Sequence, residues 1–162
     1  MDSRRNRLLA YIADTSLAAI ATAGVANSPY TTAFRKIFRQ APPVGDLLYP
    51  CIVMFDQGEE PSGDDDQHVG TQREHLNLVL WLGLFLDTEP STGSNELQNE
   101  ALADVKRAMR HPSGGVHGGY ALHTLYDGCK PMVFEGFAQC DTVARFRIRY
   151  DDTWPTSTPD IS

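Results

Sequence analysis

EHLNLVLWLGLFLD, residues 74–87, decides how the chain is read. Leucine falls at 76, 78, 80, 82, 84 and 86, a period of two held over six positions. Wound as a helix, those leucines would spread around the whole circumference; extended, they line one face of a strand. The other face carries Asn77, Val79, Trp81, Gly83 and Phe85, polar at its start and aromatic further on. The expectation is a long strand with one core face, its second face covered by a helix or by a neighbouring subunit.

Outward from this strand the pattern alternates between extended and helical. Cys51-Ile-Val-Met-Phe55 is a short apolar run, as in a strand buried on both faces. Residues 30–39, rich in Thr and aromatics, read as a further strand, and APPVGD after them as a turn. Towards the N-terminus, Ser3 caps a helix with Leu8, Leu9, Ile12, Ala19 and Ile20 on one side, ended by Gly24 and Asn27-Ser28-Pro29. Arg4, Arg5 and Arg7 sit in its first turn, where the macrodipole disfavours cations. That conflict raises the prospect of a contact, set against the plainer reading of a solvated helix end. Asp14, Thr15 and Ser16 break the apolar part, so the segment reads as an amphipathic helix and not as a signal segment.

On the other side, residues 95–110 form a helix with Asn95 and Gln98 at capping-box spacing. Leu97, Ala101, Val105, Ala108 and Met109 are its stripe, and Lys106, Arg107 and Arg110 suit its C-terminal end. Strands are expected at 120–126, 131–139 and 142–150, with Asp127-Gly128 as a hairpin turn between the first two. Residues 151–162 read as a polar, Pro-broken tail. The fold class expected is α+β: one domain over residues 1–150, a mainly antiparallel sheet with two helices packed on it, and a long loop between two strands.

Composition narrows the function. At 162 residues and 41% hydrophobic, the chain is large enough and apolar enough to bury a core. No run of about 18 uncharged apolar residues offers a membrane span. A net charge of −7 argues against general nucleic-acid binding, which needs a cationic field. Cys51, Cys129 and Cys140 are odd in number and lack ligand spacing, as in a reduced intracellular protein.

Residues 56–72, DQGEEPSGDDDQHVGTQ, hold six carboxylates, among them Glu59, Glu60, Asp64, Asp65 and Asp66. Three consecutive aspartates do not converge on calcium as alternate ligands do. The flanking apolar runs look like neighbours in one sheet, so a domain linker does not fit either. An excursion of 17 residues between paired strands is the length of a functional loop, and a partner-binding loop is the reading that survives. His111, His117 and His123 are spaced six and six, not as a zinc finger, and GGVHGG lacks the features of a phosphate loop. Glu135, alone on an apolar strand face, suits an interface better than catalysis. No nucleophile motif occurs, so no enzyme, cofactor or metal is expected. The runner-up from another class is a small metal-dependent enzyme using the acidic loop and the histidines. A third reading is a monomeric ligand-binding domain.

Arg145, Arg147 and Arg149 alternate along one face of the last strand, opposite Ala144, Phe146, Ile148 and Tyr150. Opposite charges on one chain, this ladder and the acidic loop, suit head-to-tail contacts between copies. With Trp81 and Phe85 they make up the candidate interface.

The order of elements, with CIVMFDQGEE before a loop, HLNLVLWLGLFLD, ELQNEALADVKRAM and a closing ARFRIRYDDTW, resembles the tail terminator (minor tail protein U) family of long-tailed bacteriophages. Gly58-Glu59-Glu60 stands at the family's acidic Gly-Glu segment and Ile148-Arg149-Tyr150 at its closing aromatic pair. The resemblance spans residues 4–150; the segment 21–48, the Gly/His loop and the C-terminal tail depart from it. It implies a virion neck protein assembled in the host cytoplasm: a homo-oligomeric, hexameric ring on the tail tube protein. That ring stops the tube's polymerisation and meets a head connector or completion protein, while DNA passes the lumen without specific binding. Another head–tail joining or tail-tube subunit is the alternative within that class.

Overall fold

A computed structural model describes residues 3–61, 73–86, 94–110, 115–132 and 140–153. The period-two segment is strand β3 (Arg73–Phe85), the centre of a five-stranded sheet. Its neighbours are β2 (Cys51–Pro61) and β5 (Cys140–Thr153), both antiparallel to it. Beyond them lie β1 (Lys36–Phe38), parallel to β2, and β4 (His123–Met132), antiparallel to β5. The order is β1-β2-β3-β5-β4, a mixed, mainly antiparallel sheet of the expected α+β class.

Register explains the leucine ladder. Leu76, Leu78, Leu80 and Leu82 oppose Tyr150, Ile148, Phe146 and Ala144 of β5, and Leu82 and Leu84 oppose Met54 and Ile52 of β2. All of these side chains are buried on one face. Helices α1 (Arg4–Tyr11) and α2 (Ser94–Arg110) cover that face with Leu8, Leu9, Ala101, Val105, Ala108 and Met109, so each amphipathic element meets another.

The first helix departs from expectation in its winding. Ser3 Oγ accepts from Asn6 N at 3.1 Å as the predicted cap. From Ile12 to Ser16 the chain widens into a π turn, with Leu17 N bonded to Ile12 O at 2.8 Å, then tightens to 3₁₀ over Ala18–Thr22. Leu8, Leu9, Ile12 and Ile20 are buried as the spacing requires, although one regular helix does not carry them. Against the plainer reading, Arg4 and Arg5 are tethered, not merely solvated. Arg4 donates to the carbonyls of Gly119 and Tyr120, and Arg5 binds both oxygens of Asp56 at 2.6 Å. These contacts offset the macrodipole conflict.

Several strand boundaries correct the sequence reading. Asp127-Gly128 is a β-bulge inside one continuous strand, β4, and not a hairpin turn: the register slips between Tyr126 and Cys129, and Gly128 has φ 101°. Cys140-Asp141 belongs to β5, which also continues through Asp151 to Thr153, so the tail begins later than expected. The stretch 30–39 is strand over only three residues, because Tyr30, Thr32 and Phe34 pack under the helices instead of pairing. APPVGD ends in a 3₁₀ turn, Val44–Asp46. Glu135 and the segment 133–139 lie outside the described residues. The acidic stretch 56–72 is strand as far as Pro61, with a second bulge after Asp56 at Gly58 (φ 93°). As expected, the apolar runs flanking it are paired neighbours in one sheet.

Of the Gly/His loop, His111 lies outside the described residues, and the part from Gly115 onward is a clamp. His117 is 3% exposed, with its ring between Ser16 Oγ (2.7 Å from Nδ1) and Thr124 Oγ1 (3.0 Å from Nε2). Thr124 spends its one hydroxyl proton on the Gly115 carbonyl at 2.7 Å, so it accepts from Nε2–H. Nδ1 is then bare and accepts from Ser16. The neutral imidazole thus ties the π turn to β4, and burial lowers its pKa from 6.5 to about 4. A base with a depressed folded pKa binds fewer protons folded than unfolded between those values. Stability is therefore expected to fall as pH drops from 6.5 towards 4. The His117 ring resonances should stay unshifted down to about pH 4 in an NMR titration, and titration near 6.5 would contradict the network.

Candidate functional site: the helix-free face of the sheet

Both helices pack on the leucine face; among the described residues no helix covers the other. At one end that second face is closed by a small cluster of Leu47, Cys51, Val53, Phe85 and Val143, edged by Phe38, Tyr49, Phe55 and Trp81. Phe85 is 0% exposed there. That corrects its place among the interface residues: alternation put it on the right face, but Leu47 and its neighbours seal it in.

Beyond the cluster no helix or strand among the described residues covers the face. The register sets Trp81 between Phe55 of β2 and Arg145 of β5, then Val79 beside Arg147 and Leu125, then Asn77 beside Arg149 and His123. Trp81 and Val79 are half-buried, whereas Leu125 is 50% exposed. The structure thus brings Trp81, Arg145, Arg147 and Arg149 together on one surface. It also adds Leu125, Val79 and Phe55, which the sequence reading passed over. Alternation in residues 123–126 was the available signal for Leu125.

Arg145 and Arg147 are held only loosely by described partners of their own chain. Arg147 Nε lies 3.4 Å from Asp127 Oδ2, both side chains substantially in solvent, a pair of small net worth. Arg145 Nη2 donates to the Asp127 carbonyl at 3.3 Å, and its Nε is buried with no hydrogen-bond partner among the described residues. Gly128 permits this approach, since a Cβ there would come to 3.3 Å from Arg145 Nη2. A buried donor without an acceptor is costly alone and favours a partner that supplies one.

The acidic candidates divide. Glu60 pairs with Asn77 and belongs to the helix-free face, where it is exposed. Glu59 pairs with Leu78 on the helix face, where it accepts from the Tyr150 hydroxyl and lies 3.6 Å from Arg5 Nε. It serves the fold of its own chain. Asp64, Asp65 and Asp66 lie outside the described residues. A groove of about 410 Å³ between α1 and β2, with Leu9, Met54 and Leu80 among its lining and Arg5, Arg39 and Asp56 beside them, belongs to the helix face.

Cys51 and His117 are poorly placed for reaction. Burial pushes the Cys51 thiol up to about 11, away from thiolate chemistry at neutral pH. Both ring nitrogens of His117 are engaged, so metal ligation there would first break the clamp. No family model matches this chain, and no curated protein matches it either.

Proposed function

We propose that this chain is a structural subunit of a long-tailed bacteriophage neck: a tail terminator that forms a ring, ends growth of the tail tube and joins it to the head connector. The observation that carries this reading is the helix-free sheet face, where Trp81, Val79 and Leu125 stand among Arg145, Arg147 and Arg149. Setting these three aside leaves eleven Lys and Arg against twenty-one carboxylates. The rest of a second copy is therefore strongly acidic, and complementary to this face. The order of elements supports the reading: helix α1, the apolar strand β2, the long strand β3, helix α2 and a last strand, β5, through Ile148-Arg149-Tyr150. A net negative chain also suits a channel that lets DNA slide without adhesion.

Sedimentation of the full chain beside an Arg145→Glu/Arg147→Glu variant tests the reading. The parent chain is expected to sediment as one closed species. The variant should be monomeric with an unchanged far-UV spectrum, since both side chains reach solvent or have only weak partners. If both chains sediment alike, the arginine face is not the contact.

A further inference from the structure

We infer that the groove between α1 and β2 is a docking site for an acidic segment of a partner protein, which sets a carboxylate side chain between Arg5 and Arg39 and apolar neighbours on Met54. The site lies on the helix face, apart from the arginine ladder, and does not rest on the ring reading.

The groove opens where β1 ends. β1 accompanies β2 as far as Phe38 beside Val53, and Pro42-Pro43, which follow, cannot donate to a ladder. Arg39 therefore stands off from Met54 instead of pairing with it. The space there, about 410 Å³, is flanked by Arg5 and Leu9 of α1. Leu9, Met54 and Leu80, all nearly buried, form its floor, and Arg5, Arg39 and Asp56 are its charged rim.

Charge selects the occupant. Arg5 spends Nη2 on Asp56, 2.6 Å from both oxygens, and makes no hydrogen bond through Nη1 among the described residues. Arg39 is exposed and has no hydrogen bond or ion pair among them. Two guanidiniums thus meet one carboxylate, a local excess of positive charge on a chain of net charge −7. A second carboxylate completes the rim with charge-assisted hydrogen bonds. Apolar residues flanking it would cover Met54 and Leu80, whereas nucleic-acid phosphates meet repulsion from Asp56 and gain nothing from the floor. The groove is half-open. A free small molecule binds where most of its surface is buried, so this groove suits a side chain whose own chain supplies the remaining contacts.

The test is a methyl NMR titration of the full chain, a readout that serves monomer and ring alike. The probes are a blocked leucine–glutamate–leucine tripeptide, its lysine counterpart and inorganic phosphate. The glutamate peptide should shift the Met54 and Leu80 methyl signals, and the lysine peptide should bind about tenfold more weakly or not at all. Arg39→Glu, at an exposed position without partners among the described residues, should lower the glutamate peptide's affinity about tenfold and leave the other core methyl signals in place. Equal affinity for the two peptides, or an Arg39→Glu variant that binds as the parent does, would overturn the charge argument. Phosphate shifting the same signals at the same concentration would make this a site for free anions and overturn the protein segment. No shift up to the solubility limit of the peptide would overturn docking in the groove altogether.

Discussion

Leu82→Ala is expected to destabilise the fold by about 3–5 kcal/mol, the upper part of the range for large-to-small changes in a core. Leu82 is 0% exposed in the middle of β3, between Met54 on one side and Ala144 on the other. Ala144 is too small to spread into the space, and two flanking antiparallel ladders keep the backbone from collapsing on it. The cavity therefore stays open, and the cavity cost adds to the lost transfer energy. Urea titration of both chains measures this directly. The same truncation on the opposite face, Val79→Ala, is expected to cost only about 1 kcal/mol, because Val79 is already half in solvent. Similar losses from both variants would mean that the second face is also core.

The second large effect belongs to a polar residue. Asp104→Ala should cost about 2–4 kcal/mol. Asp104 is 3% exposed on α2, and its Oδ2 accepts from Thr31 N at 3.0 Å, Thr32 N at 2.6 Å and Thr31 Oγ1 at 3.1 Å. One turn on, Arg107 donates to the Pro29 carbonyl. Together they replace the ladder that residues 29–34 lack, which is why this segment lies ordered under the helices without being a strand. Truncation strands two amides beside the core, whereas Asp104→Asn keeps an acceptor and should recover part of the loss. Amide exchange at Thr31 and Thr32 should accelerate selectively in the alanine variant. A uniform change across the sheet would assign the loss to packing instead.

What could be read in advance follows the range of the interactions. The leucine period specifies strand and face by itself, because parity along a strand is a local property. Asp127-Gly128 was misread for an equally local reason: a hairpin turn and a bulge both need a residue at positive φ, and the dipeptide does not say which. The clash of Arg5 with the helix dipole left a solvated end as the plainer reading, because its partner lies 51 residues away, where no sequence pattern points. Phe85 was assigned to the correct face and the wrong environment, since Leu47, which helps to bury it, lies between the APPVGD turn and the strand from Cys51, where no periodic pattern points. His117 had no local signal at all. Its role depends on Ser16 and Thr124 meeting across the fold, and a Gly-rich context suggests mobility where the structure has a clamp.

The arginine face mattered in both readings, for different reasons. In the sequence it was three cations alternating on a strand of an acidic chain. In the fold it lies beside Trp81, Val79 and Leu125 on a sheet face that neither helix covers, with the buried Nε of Arg145 unpaired among the described residues. Each feature alone is ordinary for a surface; their coincidence on one face supports an assembly contact.

Negative-stain imaging of the full chain across a wide concentration series tests that central claim most directly. Single closed rings of one size, neither stacking nor growing with concentration, are the expected result. Stacked rings or fibres would contradict a terminator and indicate a tube subunit, and monomers throughout would contradict self-assembly through the arginine face.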